Sequence, residues 1–195
     1  MGQSITFAPV TRDRWRDLER LFGPNGAYGG CWCMFWRQTR KDYETLKGAE
    51  NKTSMQTIVE RDEVPGIIGY IDGVPAGWVS VGPRAAFPSL NRSRTLKPVD
   101  DEPAWSIVCF YVAREHRGTG MMSQLIGAAA DHARDQGATL IEGYPEEVAA
   151  DGQKNVSFAG AYMGLRPAFE RAGFVEVIKR GRQPIMRKQL RQPNL

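Results

Sequence analysis

The stretch WSIVCFYV, Trp105–Val112, is apolar at almost every position. A strand that faces water on one side alternates apolar and polar residues, whereas a near-continuous apolar run is what a strand covered by helices on both faces requires. After it comes a polar turn with two glycines, then Met122, Leu125, Ile126, Ala129 and Ala133 at helical spacing. Gly137 stops that helix, and residues 139–144 read as a further strand. Strand, helix and strand in that order predict a β-α-β unit whose two strands lie parallel and adjacent.

The rest of the chain is arranged around that unit. Residues 4–9 read as a short strand, and Thr11 is placed to cap a helix with Trp15, Leu18, Leu21 and Phe22 on one face. The run Gly-Pro-Asn-Gly at 23–26 ends it. The aromatic segment at 29–36, GGCWCMFW, is too apolar for a solvated loop, so it fills the core or walls a pocket. A helix is expected over 49–61, with Met55, Ile58 and Val59 as its apolar stripe. Residues 66–71 and 76–81 flank Asp72-Gly73, a pair that supplies the positive φ angles of a tight hairpin. A polar loop follows to Pro103, and the chain is expected to close with one helix over 160–172, ended by Gly173, and a terminal strand over 174–179.

At 195 residues, 42% hydrophobic and 25% charged, the sequence is expected to form one domain over 1–195 with a core of its own. No run approaches the roughly 20 apolar residues of a membrane span, and the opening MGQSITF lacks the layout of a signal peptide, so a cytoplasmic location is expected. Three cysteines fit reduced, packing thiols; Cys31 and Cys33 form C-x-C, but nothing completes a zinc-ligand spacing, so no metal is expected. The net charge of +4 is spread among acidic residues, and the basic tail at 179–191 reads as a solvated strand and terminus, so nucleic acid is not expected as a partner. A twofold homodimer is compatible with a chain of this size, though no segment marks an interface.

Chemistry concentrates in the turn Arg114-Glu-His-Arg117-Gly118-Thr119-Gly120-Met121-Met122. Its glycines allow a sharp turn and close approach of a ligand, and the first-turn amides with the positive end of the helix dipole make an anion site that a pyrophosphate fits. There is no P-loop pattern, the dinucleotide-binding glycine pattern is incomplete, and the turn comes late, after an antiparallel hairpin.

With the strand WSIVCFYV, the turn HRGTGM, its helix and the ending AFERAGF, the sequence resembles the Gcn5-related N-acetyltransferase (GNAT) superfamily. The resemblance implies an α/β (α+β) fold: a mixed, mostly antiparallel central sheet containing one parallel β-α-β unit, with helices on both faces. It implies that the amides of Arg117, Gly118, Thr119, Gly120, Met121 and Met122 grip the pyrophosphate of acetyl-coenzyme A, the cosubstrate. Main-chain groups of Phe110, Tyr111 and Val112 would pair with its pantetheine arm. Glu115 stands where the family has Gln or Arg, and Met122 where many members have another glycine. Acetyl transfer to an amine of a small molecule or protein is the implied activity, with Trp32, Phe35, Trp36 and Trp78 as a possible aromatic face toward the acceptor.

Transfer to an amine needs a neutral amine, a polarised carbonyl and a proton for the leaving thiolate. The tyrosine that members place four residues before the final Gly-Phe is here Phe169. That leaves Tyr162, two turns earlier on the expected helix, as the candidate acid, with Tyr111 and Tyr144 beside it. Glu142, inside the strand parallel to the central one, is the candidate base, so Glu142→Gln is expected to lower turnover tenfold or more. Cys109 is the alternative nucleophile, although no nearby histidine activates it. A non-catalytic acyl-coenzyme A sensor or partner-binding module is the competing reading, favoured by Phe169.

Overall fold

The computed structural model describes residues 2–147 and 160–190. In chain order the elements are β1 (Ile5–Pro9), α1 (Trp15–Phe22), α2 (Arg40–Thr45), α3 (Ala49–Glu60), β2 (Gly66–Ile71), β3 (Val74–Pro83), α4 (Pro88–Arg92), β4 (Trp105–Val112), α5 (Met121–Asp135), β5 (Leu140–Gly143), α6 (Arg166–Arg171), β6 (Val175–Arg180) and β7 (Gln183–Gln189). Four 3-10 turns join them at Arg12–Arg14, Arg84–Ala86, Arg114–His116 and Gly160–Met163. The seven strands form one sheet in the order β1-β2-β3-β4-β5-β7-β6. Every pairing is antiparallel except β4 with β5, the parallel pair that the β-α-β pattern demanded.

Each face of the sheet carries its own core. Leu18, Leu21 and Phe22 of α1, Met55 and Val59 of α3, and Trp32, Cys33 and Met34 pack on Ile68, Trp78 and Val108. On the opposite face, α5 and α6 bring Met121, Leu125, Ile126, Ala129 and Phe169 against Ile67, Val79, Ile107 and Phe110. The central strand is therefore apolar throughout because both its faces are covered. The hairpin turn places Asp72 at φ 49° and Gly73 at φ 77°, the two positive angles of a two-residue loop whose twist matches the strands. Among the described residues no helix is long and apolar enough to cross a membrane.

Several expectations change. Met121, at 2% exposure, leads the buried stripe of α5, and Met122 is only partly buried. The loop to Pro103 contains the 3-10 turn Arg84–Ala86 and α4. The closing helix is two pieces, the 3-10 turn Gly160–Met163 and α6, separated by Gly164 at φ 89°, with Pro167 starting the second. Tyr162 and Phe169 therefore do not share a helix face. The basic tail is not a solvated terminus up to residue 190: β7 inserts between β5 and β6 and buries Ile185, Met186 and Arg187. The strand beginning near Phe174 is thus penultimate in the chain and forms the edge of the sheet, and residue 191 lies outside the described residues.

Candidate functional site

The turn between β4 and α5 exposes an unbroken run of donors. Gly118 and Gly120 sit at φ 81° and 84°, and a β-carbon built on either would meet nothing within 4 Å, so space lies directly in front of the backbone. The amides of residues 118–122 donate to no acceptor among the described residues. The Arg117 side chain folds back, its Nε donating to the Val112 carbonyl at 3.0 Å, and Thr119 Oγ1 donates to the His116 carbonyl at 2.8 Å. These contacts hold the loop in shape without occupying its amides. Five free N–H groups at the start of a 15-residue helix are an anion cradle.

Beside the cradle, the sheet opens. β4 pairs with β5 through Trp105, Ser106 and Ile107, so among the described residues no strand pairs with Phe110, Tyr111 and Val112 on that side. On the other side Ser80 faces Cys109 but Val81 faces Ile107, which makes Val108 the extra residue of a β-bulge. The bulge puts Val108 and Cys109 on the same face of the sheet, followed by Tyr111, while Phe110 and Val112 turn toward α5.

At this opening lies a cavity of about 470 Å³ whose walls include Cys109, Tyr111, Tyr162, Phe35, Trp36 and Tyr43. The backbone at 26–33 is bent to reach it: besides three glycines, Ala27, Trp32 and Cys33 adopt positive φ, a cost of about 1–2 kcal/mol for each non-glycine residue. Cys31 and Cys33 thereby face the cavity, and Cys33 Sγ contacts Cys109 Sγ at 3.3 Å, all three thiols being free. The Cys109 contact, then burial, pushes the Cys33 thiol far above its ordinary range. Of the four aromatic residues the sequence offered, only Phe35 and Trp36 line the cavity; Trp78 is fully buried and Trp32 stacks on Trp15.

Glu142 does not line the cavity. It is 1% exposed, and both of its oxygens are occupied: Oε1 accepts from Arg84 Nη1 and from Tyr144 Oη at 2.5 Å each, and Oε2 accepts from Arg187 Nε at 3.0 Å. Arg187 continues to Asp100 and Arg84 to the Leu96 carbonyl, so Glu142 is the hub that fastens the segment between β3 and β4, including the cavity-lining Leu96, to the sheet. This geometry is that of an ion-pair anchor, set outside the cavity lining. Tyr144 belongs to the same hub: it is buried, its hydroxyl donates to Glu142 and meets Ser106 at 2.8 Å, and it is not among the residues that line the cavity.

Phe169 is fully buried, edge-on to Phe110 and Phe174 at 6.0 and 5.2 Å. Tyr162, by contrast, lines the cavity and stacks on Tyr28 at 5.8 Å. Burial, then Cys109 and Tyr28, raise its hydroxyl above the ordinary tyrosine value, against a smaller opposing effect of Arg117. It shares the cavity wall with Cys109 and Tyr111 of the bulged strand. Sequence reasoning missed Arg84, Arg187, Tyr28, Tyr43 and Glu146; the only signal was that the first two are arginines flanking otherwise apolar segments.

Comparison with known proteins agrees with this layout. No curated protein matches the chain in sequence. Similar solved structures include an acetyltransferase of the GNAT family from Desulfovibrio desulfuricans, at 14% identity and a TM-score of 0.53, covering 96% of this chain and 100% of that one. An acetyltransferase from Salmonella typhimurium bound to acetyl-coenzyme A is 15% identical, with a TM-score of 0.51 over 98% and 96%. PaiA N-acetyltransferase from Thermoplasma acidophilum, in complex with coenzyme A, is 13% identical, with a TM-score of 0.51 over 95% and 99%. Because the model of the acetyltransferase (GNAT) family spans residues 29–165, from the aromatic segment through the cradle to the Tyr162 turn, this chain belongs to the GNAT family.

Proposed function

We propose that this protein transfers the acetyl group of acetyl-coenzyme A to an amine. The observation that carries the reading is the run of amides at 118–122 beside the edge of β4 beyond Ile107, both without backbone partners among the described residues. Those amides, with Met121 and Met122 supplying the first-turn N–H groups of α5, suit a pyrophosphate, and the main chain of Phe110, Tyr111 and Val112 suits an extended amide-bearing arm. When bound, acetyl-coenzyme A supplies an acetyl group activated as a thioester. That two solved relatives hold coenzyme A or its acetyl form supports the choice of donor.

Tyr162 is the general acid in this proposal: its hydroxyl, kept protonated by burial, delivers a proton to the departing thiolate. Glu142 keeps the cavity wall in place through Arg84 and Arg187 and takes no part in proton transfer. The free thiols at Cys31, Cys33 and Cys109 favour a reducing compartment, the cytoplasm.

Calorimetric titration with acetyl-coenzyme A, followed by mass detection of released coenzyme A over an amine panel, tests the reading. Saturable binding and amine-dependent release are expected. Absence of binding at millimolar ligand would overturn it, and binding without release for any amine would favour the sensor.

A further inference from the structure

The cavity wall is chemically lopsided. Seven aromatic residues line it, Tyr28, Phe35, Trp36, Tyr43, Phe110, Tyr111 and Tyr162, and Glu146 is its one charged residue among the described residues. Phe35 stands edge-on to Trp36 at 4.9 Å and to Tyr43 at 5.2 Å, which makes one aromatic side, while the stacked pair Tyr28 and Tyr162 makes another.

Glu146 is held by its backbone. Its amide donates to the Gly164 carbonyl at 2.9 Å and its carbonyl accepts from the Arg166 amide at 3.1 Å. The neighbouring Glu147 takes both Arg166 and Lys179, at 2.9 Å each, and no basic side chain among the described residues pairs with Glu146. Of the other polar side chains, Gln183 Nε2 donates to the carbonyls of Tyr144 and Pro145 at 3.0 Å, Ser93 Oγ meets Thr95 Oγ1 at 3.2 Å and receives the Leu96 amide, and the tyrosines bring hydroxyls at the edges of their rings. Such a site offers one counter-charge and a large apolar, π-rich surface. It offers little to a polyamine, which needs several carboxylates, or to an amino sugar, whose many hydroxyls would exchange water mostly for ring and thiol surface.

We infer that the acceptor is a small primary amine with a single positive charge on an aromatic body, an arylalkylamine, and that Glu146 receives its ammonium group. This rests on the acetyl-transfer reading above. The Glu146 carboxylate takes one proton from the ammonium and passes it to solvent; the nitrogen lone pair forms the C–N bond to the acetyl carbon; the C–S bond breaks and the thiolate takes the Tyr162 proton; the second proton leaves the nitrogen as the amide forms and, through solvent, replaces the one Tyr162 gave up. The products are an N-acetyl amine, coenzyme A and one proton. The rings add apolar burial and, while the amine is charged, cation–π attraction.

The test compares 2-phenylethylamine, ethylamine, spermidine and glucosamine on the full chain, with N-acetyl product and coenzyme A both measured by mass. The expected kcat/KM for 2-phenylethylamine exceeds that for ethylamine by about 100-fold, close to 2.8 kcal/mol at 1.4 kcal/mol per tenfold, and exceeds those for spermidine and glucosamine by at least about tenfold. Glu146→Gln is expected to raise the KM for 2-phenylethylamine about tenfold or more with acetyl-coenzyme A affinity unchanged. Phe35→Ala, at a half-exposed ring, is expected to cut the preference over ethylamine about tenfold. A preference below about threefold, or faster turnover of spermidine or glucosamine, would overturn this inference alone. Failure to bind acetyl-coenzyme A, or no turnover of any amine by protein that binds it, would overturn the acetyl-transfer reading with it.

Discussion

Replacing Glu142 with glutamine separates an anchor from a catalyst. The substitution keeps shape and removes the charge. At present the carboxylate is 1% exposed and lies between Arg84 and Arg187, whose side chains are 13% and 9% exposed, so water screens neither pair. An amide in its place keeps one acceptor but turns an N–H₂ toward one of the guanidiniums, donor against donor. Arg187 retains Asp100, but Arg84 is left with neutral partners, the Tyr144 hydroxyl, the Leu96 carbonyl and the Asn91 side chain. Removing one partner of a buried pair typically costs about 3–5 kcal/mol, and the retained Asp100 contact places this case near the lower end. At roughly 2–4 °C per kcal/mol for a chain of this size, Tm is expected to fall by roughly 6–12 °C for a loss of about 3 kcal/mol. Urea unfolding followed by tryptophan fluorescence should show a lower midpoint at unchanged m. Well below its melting point, the variant should bind acetyl-coenzyme A normally and show a raised acceptor KM. A variant with wild-type midpoint whose kcat has dropped about 100-fold would refute the anchor reasoning and restore Glu142 as the base.

Tyr162→Phe should lower kcat about 10–100-fold while leaving the acetyl-coenzyme A Kd within about twofold; an unchanged kcat would remove it as the acid. Gly120→Val places a branched side chain at φ 84° in front of the cradle, so acetyl-coenzyme A affinity measured by calorimetry should fall about tenfold or more, and intact affinity would count against the amide cradle. Gly143→Ala sets a β-carbon 2.1 Å from the Phe169 ring, and a loss of about 1–3 kcal/mol in urea unfolding is expected. The Arg187 guanidinium holds the Asp100 carboxyl below its usual value, so its contribution is present above the unfolded pKa of about 3.9 and is lost as pH falls through the lower folded value. The stability gap between wild type and Asp100→Asn should therefore persist at pH 6 and shrink as the pH falls below about 3.9; a gap that ignores pH would contradict the pairing.

Much of the frame is legible locally. The apolar run of β4, the hairpin pair Asp72-Gly73 and the glycines of the cradle each follow from backbone conformation or from burial of neighbouring residues in the chain. What escaped is non-local. Arg187 makes β7 look like part of a basic, solvated tail, because its charge is neutralised by Glu142 and Asp100, 45 and 87 residues away. The same distance hid the nature of Glu142, since a carboxylate inside a strand reads alike whether it faces a substrate or two arginines.

By itself the sequence determined the parallel β4–β5 pair, the hairpin beside it and the phosphate-sized turn, since periodicity and glycine conformation are properties of short segments. Tertiary structure alone decided which side chains meet the cavity. One extra residue, Val108, sets the face that Cys109 and Tyr111 present; Gly164 breaks the last helix and seats Tyr162 at the opening; and long-range pairing turns Glu142 inward. The physical reason is that a bulge, a helix break and a buried ion pair are each fixed by partners distant in sequence, which no local pattern records.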